Sequence, residues 1–549
     1  MKSYSLLLIL SLLFIACEPQ QQTENDDSSY PQVELSFTPN ILWLVAEDLG
    51  PYIPPFGDST VATPNLSRLA AEGVRYTHFF SPSGVCAPSR AAISTGMYPS
   101  HIGAHHMRTS GGGKSHPENL VRYEAVPPPE VRMHAEIMRM AGYYCSNNSK
   151  EDYQYKKTVT AWDESSREAH WRNRKPGQPF FSIFNFGITH ESQIWARMQD
   201  SLWVPRDMEV NVPPYLPDNE VGQQDVRQMY SNIKRMDAQV GEILDQLEED
   251  GLLESTIIFW YTDHGGPLPR MKRMLYDSGL RVPMIVRFPE KMFAGQVDDR
   301  LTNFIDLLPT IMSLSGQEPP EYLDGKAFLG KYTAEDRQYL HAAADRFDGV
   351  YDMIRAVRDR RYKYLKNFQP EKSYYLPVKY REQMPVMQEL LRMRDAGELD
   401  EYEAFWFGET KADEELFDTE NDPHELHNLA EDPAYQEKLA ELRAECERWM
   451  AEIDDKGLMK EEDFVQTIWP NFEQPATMEP EFSSEDGRVS LSSATEGASL
   501  GYQLLGASDT LLKRWEVYTG PISIPEGKQM VAIAHRIGYS PSEAKTYEP

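Results

Sequence analysis

The sequence predicts an α/β protein: a mostly parallel central sheet covered on both faces by helices, with an added all-β module at the end. Three observations lead there. Short continuous apolar runs of strand length recur at residues 41–46, 76–80, 180–187 and 256–262, as expected of strands buried on both faces. Helical periodicity lies between them. Residues 224–250 set Val226, Met229, Tyr230, Ile233, Met236, Val240, Ile243, Leu244 and Leu247 on one face, with Gly251 as the stop. Residues 472–549 instead alternate over short runs at 488–492, 500–504, 521–524 and 529–534, separated by turn residues. That is the pattern of a small β-sandwich.

Composition narrows the function. Of 549 residues, 40% are hydrophobic and 11% aromatic, which excludes a disordered or fibrous chain. The 86 acidic residues outnumber the 55 basic ones, giving a net charge of −31. Nucleic-acid binding needs the opposite balance. Four cysteines, Cys17, Cys86, Cys145 and Cys446, are too few for a disulfide framework. Cys145 and Cys446 are expected to be free thiols.

The N-terminus reads as an export signal. Lys2 precedes an apolar run at 5–16 that is too short to span a bilayer as a helix. Phe14-Ile15-Ala16-Cys17 resembles the lipobox of bacterial lipoproteins, which implies lipidation at Cys17 and attachment to a membrane through that lipid. The expected organisation is a lipoprotein signal at 1–17, a polar tether at 18–37, a catalytic core at 38–300, a C-terminal subdomain at 301–470 and a β-module at 471–549. The expected location is the periplasm or the outer-membrane or cell surface.

Within the core the elements follow in order. The run 41–46 ends in Glu47-Asp48, adjacent carboxylates that burial penalises unless a cation or donors satisfy them. Thr63-Pro64 opens a helix, with a hydroxyl cap and proline at its first position. After the run 76–80 comes Cys86-Ala87-Pro88-Ser89-Arg90, at the start of a helix that Gly96 stops. A helix N-terminus favours anions. Arg90 lies one turn from Cys86 on the same face. The run 256–262 closes on Asp263-His264-Gly265. Glu47, Asp48, Asp263 and His264 form a mostly hard-oxygen set suited to calcium or magnesium.

Cys86-Ala87-Pro88-Ser89-Arg90 matches the Cys-x-Pro-Ser-Arg motif of the sulfatases, a resemblance that implies the alkaline-phosphatase-like sulfatase fold with a smaller C-terminal α+β subdomain. The TPNL segment at 63–66, Asp263-His264-Gly265, Lys272, Tyr276, Gly279-Leu280-Arg281-Val282-Pro283, Glu415-Leu416-Phe417-Asp418 and Asn421-Asp422-Pro423 follow in family order over roughly residues 38–455. The resemblance implies that a maturation enzyme oxidises Cys86 to Cα-formylglycine, whose hydrate attacks sulfur. It also implies calcium (magnesium as the alternative) held by Glu47, Asp48, residue 86, Asp263 and His264. Arg90 then braces the nucleophile, Lys150 and Lys272 grip sulfate, and His190 acts as general acid. One departure stands out. The family continues Lys-x-His where this chain reads Lys150-Glu151-Asp152-Tyr153. Asp152, Tyr153 and nearby histidines are the candidates to stand in.

The stretch 41–108 is most similar to sulfatases acting on carbohydrates, including relatives of N-sulphoglucosamine sulphohydrolase, which makes a sulfated glycan the expected substrate. His105, His106 and Arg108, with His341, Asp345 and Arg346, are the substrate-contact candidates, a capping and packing role being equally open for both groups. Ser492–Tyr502 and Tyr518-Thr519-Gly520-Pro521 resemble an immunoglobulin-like C-terminal module. Three other readings stay open: a sulfamidase, a phosphodiesterase or phosphonate hydrolase of the same superfamily, and a lipid-anchored glycan-binding protein with a degenerate site.

Overall fold

A computed structural model describes residues 33, 35–111 and 116–548. The signal at 1–17, with Cys17, and most of the tether at 18–37 lie outside the described residues.

The core is a nine-stranded sheet of β1 Asn40–Ala46, β2 Val74–Phe80, β3 Tyr144–Asn148, β4 Glu164–Ser165, β5 Phe180–Phe186, β6 Thr256–Thr262, β7 Arg281–Arg287, β8 Val297–Asp298 and β9 Thr302–Asn303. Its order is β4-β3-β5-β1-β6-β7-β2-β8, with β9 also on β2. Pairing is parallel except at β7, which runs antiparallel to both β6 and β2. The central strand β1 shows why its sequence is apolar without alternation. Ile41, Trp43 and Val45 enter one core cluster, while Leu42, Leu44 and Ala46 enter the other. Each such side chain contributes about 1.5–3 kcal/mol on burial.

The helix Glu220–Glu249 covers one face of the sheet. It begins a turn before the apolar periodicity does, because the Asn219 side chain accepts hydrogen bonds from the Val221 and Gly222 N–H groups. Gly251, at φ 67°, follows its end. The helix Pro64–Ala71 starts where Thr63-Pro64 predicts, but the cap is different. Asp237, on the long helix, accepts from Leu66 N at 2.9 Å and Asn65 N at 3.3 Å, while the Thr63 hydroxyl has no partner.

Asp225 on the long helix is buried, and its Oδ2 accepts from Val386 N at 2.7 Å. Burial pushes its carboxyl up to about 7, against an unfolded value of about 3.9. A raised carboxyl favours the fold fully below the unfolded value, and the contribution is lost as pH rises through the folded one. Asp225→Asn is therefore expected to raise Tm at pH 8 and to change it little near pH 4, as read by thermal unfolding at both pH values. An equal shift at both would contradict this.

The central unit runs past the boundary expected at residue 300. β9 pairs with β2, and the helix Leu307–Leu314 packs into the same core. Beyond it, β10 Leu340–Phe347, β11 Val350–Arg358, β12 Tyr362–Asn367 and β13 Glu414–Asp418 form an antiparallel sheet in that order. The helix Gln436–Glu452 covers it with Leu439, Leu442, Cys446 and Trp449. The segment at 381–404, expected as a helical insertion, holds the helix Pro385–Ala396, which packs on Glu220–Glu249 through Val386, Met387 and Leu390.

The last residues carry two small sheets, β14 Pro480–Glu485 with β15 Arg488–Ser493, and β17-β16-β18-β19 from β16 Ser499–Gly506, β17 Glu516–Val517, β18 Lys528–His535 and β19 Lys545–Tyr547. Arg139 donates to the Trp515 carbonyl at 2.8 Å, and Arg514 pairs with Asp163 at 2.8 Å, tying these strands to the core. Among the described residues, no helix is long and apolar enough to cross a membrane. Cys145 and Cys446 are free and buried.

Candidate active site

Strand direction assembles the site. Because β1, β2, β3, β5 and β6 run the same way, their C-terminal ends share one edge of the sheet, where open α/β sheets bind ligands. Glu47-Asp48 follow β1, Cys86 follows β2, Lys150 follows β3, His190 follows β5, and Asp263-His264 follow β6. The reversed β7 starts at this same edge, so the 263–280 connection that carries Lys272 never leaves it. Backbone pairing extends one residue past the strands, Glu47 N to Phe186 O at 3.2 Å and Asp263 N to Ala46 O at 3.1 Å. The carboxylate-bearing residues are thereby fixed by the ladder.

The acidic set is fully enclosed, Asp48, Asp263 and His264 each being 0% exposed. Asp48 is the hub. Its Oδ2 accepts from Lys272 Nζ at 2.6 Å and from Glu191 N at 2.7 Å, and its Oδ1 lies 3.0 Å from His264 Nε2. Burial opposes its ionisation, but Lys272, His190 and His264 together hold it well below the usual carboxylate range. Asp263 accepts from Asp48 N at 3.1 Å and from Arg90 Nε at 3.0 Å. Burial is again overcome, here by Arg90 and His264, and its carboxyl is held low. Burial would depress His264, yet Asp48 and Asp263 push it up to about 9.

The donors fit a divalent cation. Cys86, Asp263 and His264 bring one ligand atom each within 4.8 Å of one another, and so do Glu47, Asp48 and His190. The 3.0 Å approach of Asp48 Oδ1 to His264 Nε2 is poorly aligned, leaving both atoms buried without a hydrogen bond. Buried polar atoms are seldom left so. Oxygen-rich donors around two such atoms suit calcium or magnesium. Glu47, like Asp48 and Asp263, also carries a cationic partner, its Oε2 accepting from Lys150 Nζ at 2.9 Å.

Cys86 opens the helix Cys86–Thr95 and is itself 0% exposed. Cations surround it. Arg90 reaches Asp263 and, through Nη1, Asn185 Oδ1 at 2.7 Å. Burial works against the Lys150 ammonium, but Cys86 and Glu47 hold it above the usual lysine range. Lys272 Nζ also lies 3.2 Å from His190 Nε2, while His190 Nδ1 faces Ser192 Oγ at 2.9 Å. Burial and then Lys272 lower the His190 pKa. Gly84 couples the two loops. Its carbonyl accepts from Arg273 N at 2.7 Å, and a Cβ there would sit 2.5 Å from the Met274 carbonyl oxygen.

Of the substrate-contact candidates, only Arg108 is brought toward this cluster. It donates to Asp152 Oδ1 at 3.3 Å with its side chain 32% exposed, and Cys86 is among the charges acting on it. Tyr153, by contrast, enters the core and stacks on Tyr155. His106, His341, Asp345 and Arg346 lie in buried polar contacts, while His105 packs against His106 and Phe464 with both ring nitrogens buried and unpartnered, as in the packing role that the sequence leaves open. His106 stacks against His105 and accepts from Arg346 N; Arg346 pairs with Glu461. His341 binds Glu445 and stacks on Trp449, and Asp345 binds Arg355.

Sequence reasoning missed Glu191, Arg273, Asp348 and Asn185. Arg273 grips Glu191 and Asp348, each at 2.7 Å, and Glu191 also lies 3.3 Å from Lys272. The available signal was adjacency: Glu191 follows His190, and Arg273 follows Lys272.

A model of the sulfatase family matches residues 39–125 and 129–317. A model of the N-sulphoglucosamine sulphohydrolase C-terminal region matches residues 270–379. An ulvan-active sulfatase of Formosa agariphila is 49% identical over 98% of this chain and 97% of its own. Human N-sulphoglucosamine sulphohydrolase is 26% identical, over 76% and 90%. Among solved structures, a 2-O GAG sulfatase superposes with a TM-score of 0.55 at 20% identity, over 77% of this chain and 94% of its own. A phosphonate monoester hydrolase from Silicibacter pomeroyi gives 0.52 at 18%, over 76% and 96%. The two structural likenesses share the fold alone.

Proposed function

The chain belongs to the sulfatase family, as a type I sulfatase of the alkaline-phosphatase-like superfamily and thus a sulfuric ester hydrolase, and we propose that it removes sulfate from fragments of a sulfated polysaccharide, with residue 86 matured to Cα-formylglycine and calcium at the acidic set. The observation that carries this reading is the convergence of Cys86, at a helix N-terminus, with buried carboxylates on one side and Arg90, Lys150 and Lys272 on the other. The ulvan-active relative supports an ulvan-type glycan.

When bound, the cation polarises a sulfate oxygen and lowers the pKa of the attacking hydroxyl that formylglycine supplies. The chain's own groups do the rest. Asp48 and Asp263 fix the positions of Lys272 and Arg90, so positive charge is already in place when sulfate arrives and little reorganisation follows. Lys272 stands between Asp48 and His190, reaching from the metal side to the leaving-group side. Ser192 fixes the His190 ring, and Nε2 is the atom placed to pass a proton to the leaving oxygen. A sulfate anion that shares the Lys272 charge removes one of the two influences that lower the His190 pKa, burial being the other. Arg108, braced by Asp152, supports a cationic replacement for the histidine absent after Lys150.

Export with a lipid anchor at Cys17, and a maturation enzyme as partner, belong to the same proposal. So does an immunoglobulin-like module at 471–549. Val489 and Leu491 of β15 share an apolar cluster with Met530 and Ala532 of β18, which supports two sheets packed face to face.

The match of residues 270–379 to the sulphohydrolase C-terminal region favours N-sulfate as a second reading. The test is sulfate release from O-sulfated ulvan fragments, N-sulfated glucosamine and a phosphonate monoester, using protein co-expressed with a maturation enzyme. Release from an O-sulfated fragment is expected. Turnover of the phosphonate alone would overturn the reading, and release from the N-sulfate alone would select the second one.

A further inference from the structure

Beside the catalytic cluster is a second pocket, of about 40 Å³, with Arg273, Asp345, Asp352, Arg381 and Lys411 among its lining residues. Nearly every charge here is balanced. Arg273 has Glu191 and Asp348, Lys411 has Asp352 at 2.6 Å, and Asp345 has Arg355 at 3.1 Å through Oδ1, although its Oδ2 is buried without a hydrogen-bond partner; every cation but one has its carboxylate.

Arg381 is the exception. It is 4% exposed, and no carboxylate among the described residues lies within ion-pair distance of it. Its Nη2 donates to the Leu376 carbonyl at 2.6 Å, while its Nε is buried with no hydrogen-bond partner. The guanidinium lies over the rings of Trp406, at 4.8 Å, and Tyr375, at 5.2 Å. Aromatic faces compensate part of the lost hydration, but they offer Nε no acceptor. Burial, reinforced by Arg273, pulls its pKa down to about 10, which still leaves it charged at neutral pH. A buried cation without an anion is costly, and proteins pair such groups.

The pocket adjoins the leaving-group side. Tyr380, the residue before Arg381, is 41% exposed, with its ring 6.3 Å from His190 and 5.2 Å from Trp195. Arg273 follows Lys272 and holds Glu191, the residue after His190.

We propose that this pocket is the subsite for an anionic substituent of the sugar being desulfated, a uronate carboxylate or a second sulfate, which completes the ion pair that Arg381 lacks while Tyr380 covers one face of the ring. This rests on the glycan-sulfatase reading above. The free volume admits one small polar head group and excludes the ring itself, consistent with a substituent entering while the sugar stays outside. Guanidinium is the suited cation, because it meets a carboxylate or sulfate with parallel donors.

The test uses the full, matured, calcium-loaded chain and four forms of one sulfated oligosaccharide: intact, carboxyl-reduced, lacking the second sulfate, and lacking both. Arg381→Met is expected to lower kcat/KM on the intact form by about 10–100-fold, and by less than about 3-fold on the doubly stripped form. The single removal that abolishes the difference identifies the anion. Arg381→Lys, which keeps the charge, is expected to recover part of the loss. An equal loss on intact and stripped forms would overturn the proposal and leave Arg381 as a packing group between Tyr375 and Trp406. Should Arg381→Met fail to fold, the wild-type chain decides. A preference of about 10-fold or more for the intact form over the stripped one supports the subsite, and equal rates overturn it. A wild-type chain that releases sulfate from none of the four defeats the functional reading instead.

Discussion

Cys86→Ala is expected to lower sulfate release by about 10⁴-fold or more, the scale on which loss of an enzyme nucleophile acts. The argument is local. Residue 86 is enclosed at the first turn of its helix, with Asp263 and His264 on one side and Arg90 and Lys150 on the other. Removing the side chain leaves those charges where they are, since Arg90 is held by Asp263 and Asn185, and Lys150 by Glu47. Turnover should therefore vanish while substrate affinity changes little, which calorimetry on the variant would show alongside a sulfate-release assay. Peptide mass spectrometry of the matured wild-type chain should find residue 86 lighter than cysteine. Undiminished release by the alanine variant would remove the mechanism.

Asp48→Asn is expected to weaken divalent-cation binding about 100-fold and to lower turnover by about 10²–10³-fold. Asp48 faces His264 and binds both Lys272 and the Glu191 amide. Lys272, His190 and His264 hold its carboxyl well below the usual carboxylate range against the opposing effect of burial. Asparagine keeps the size and one acceptor but removes the charge that fixes Lys272. Lys272 is then left to Glu191 at 3.3 Å, displaced from the leaving-group side. Calcium titration of chelator-treated protein measures the first effect, and sulfate release at saturating calcium the second. Full activity in the variant, with no response to chelator in the wild type, would rule out a metal at Asp48.

The parts of this site that were legible in the sequence are those that strand ends dictate. Glu47-Asp48 and Asp263-His264 each close an apolar run, and Cys86 precedes a helix stopped by Gly96. A parallel sheet delivers such positions to one edge whatever lies between them. What was not legible depends on partners far along the chain. Thr63 looked like a helix cap, but Asp237 takes that role from a helix that arrives only in the folded state. His105 and His106 read equally as substrate contacts at the pocket mouth or as a packing cluster. Burial against Phe464 and the Arg346–Glu461 pair encloses them. Arg381 gave no signal at all, since an arginine in an acidic segment normally implies a surface ion pair. The reversal of β7 was likewise hidden, because an apolar run reads the same in either direction.

That reversal has a consequence for how the protein can vary. A strand parallel to β6 would need a crossover back to the opposite edge, typically a dozen residues or more with its own helix. β7 spares the chain that journey, so residues 263–280 are tethered at both ends to the rim they cross, and Gly84 pins their middle through Arg273. Their length is thus a fixed dimension of the enzyme. Insertions there have no slack to absorb them and would move the ammonium of Lys272 directly.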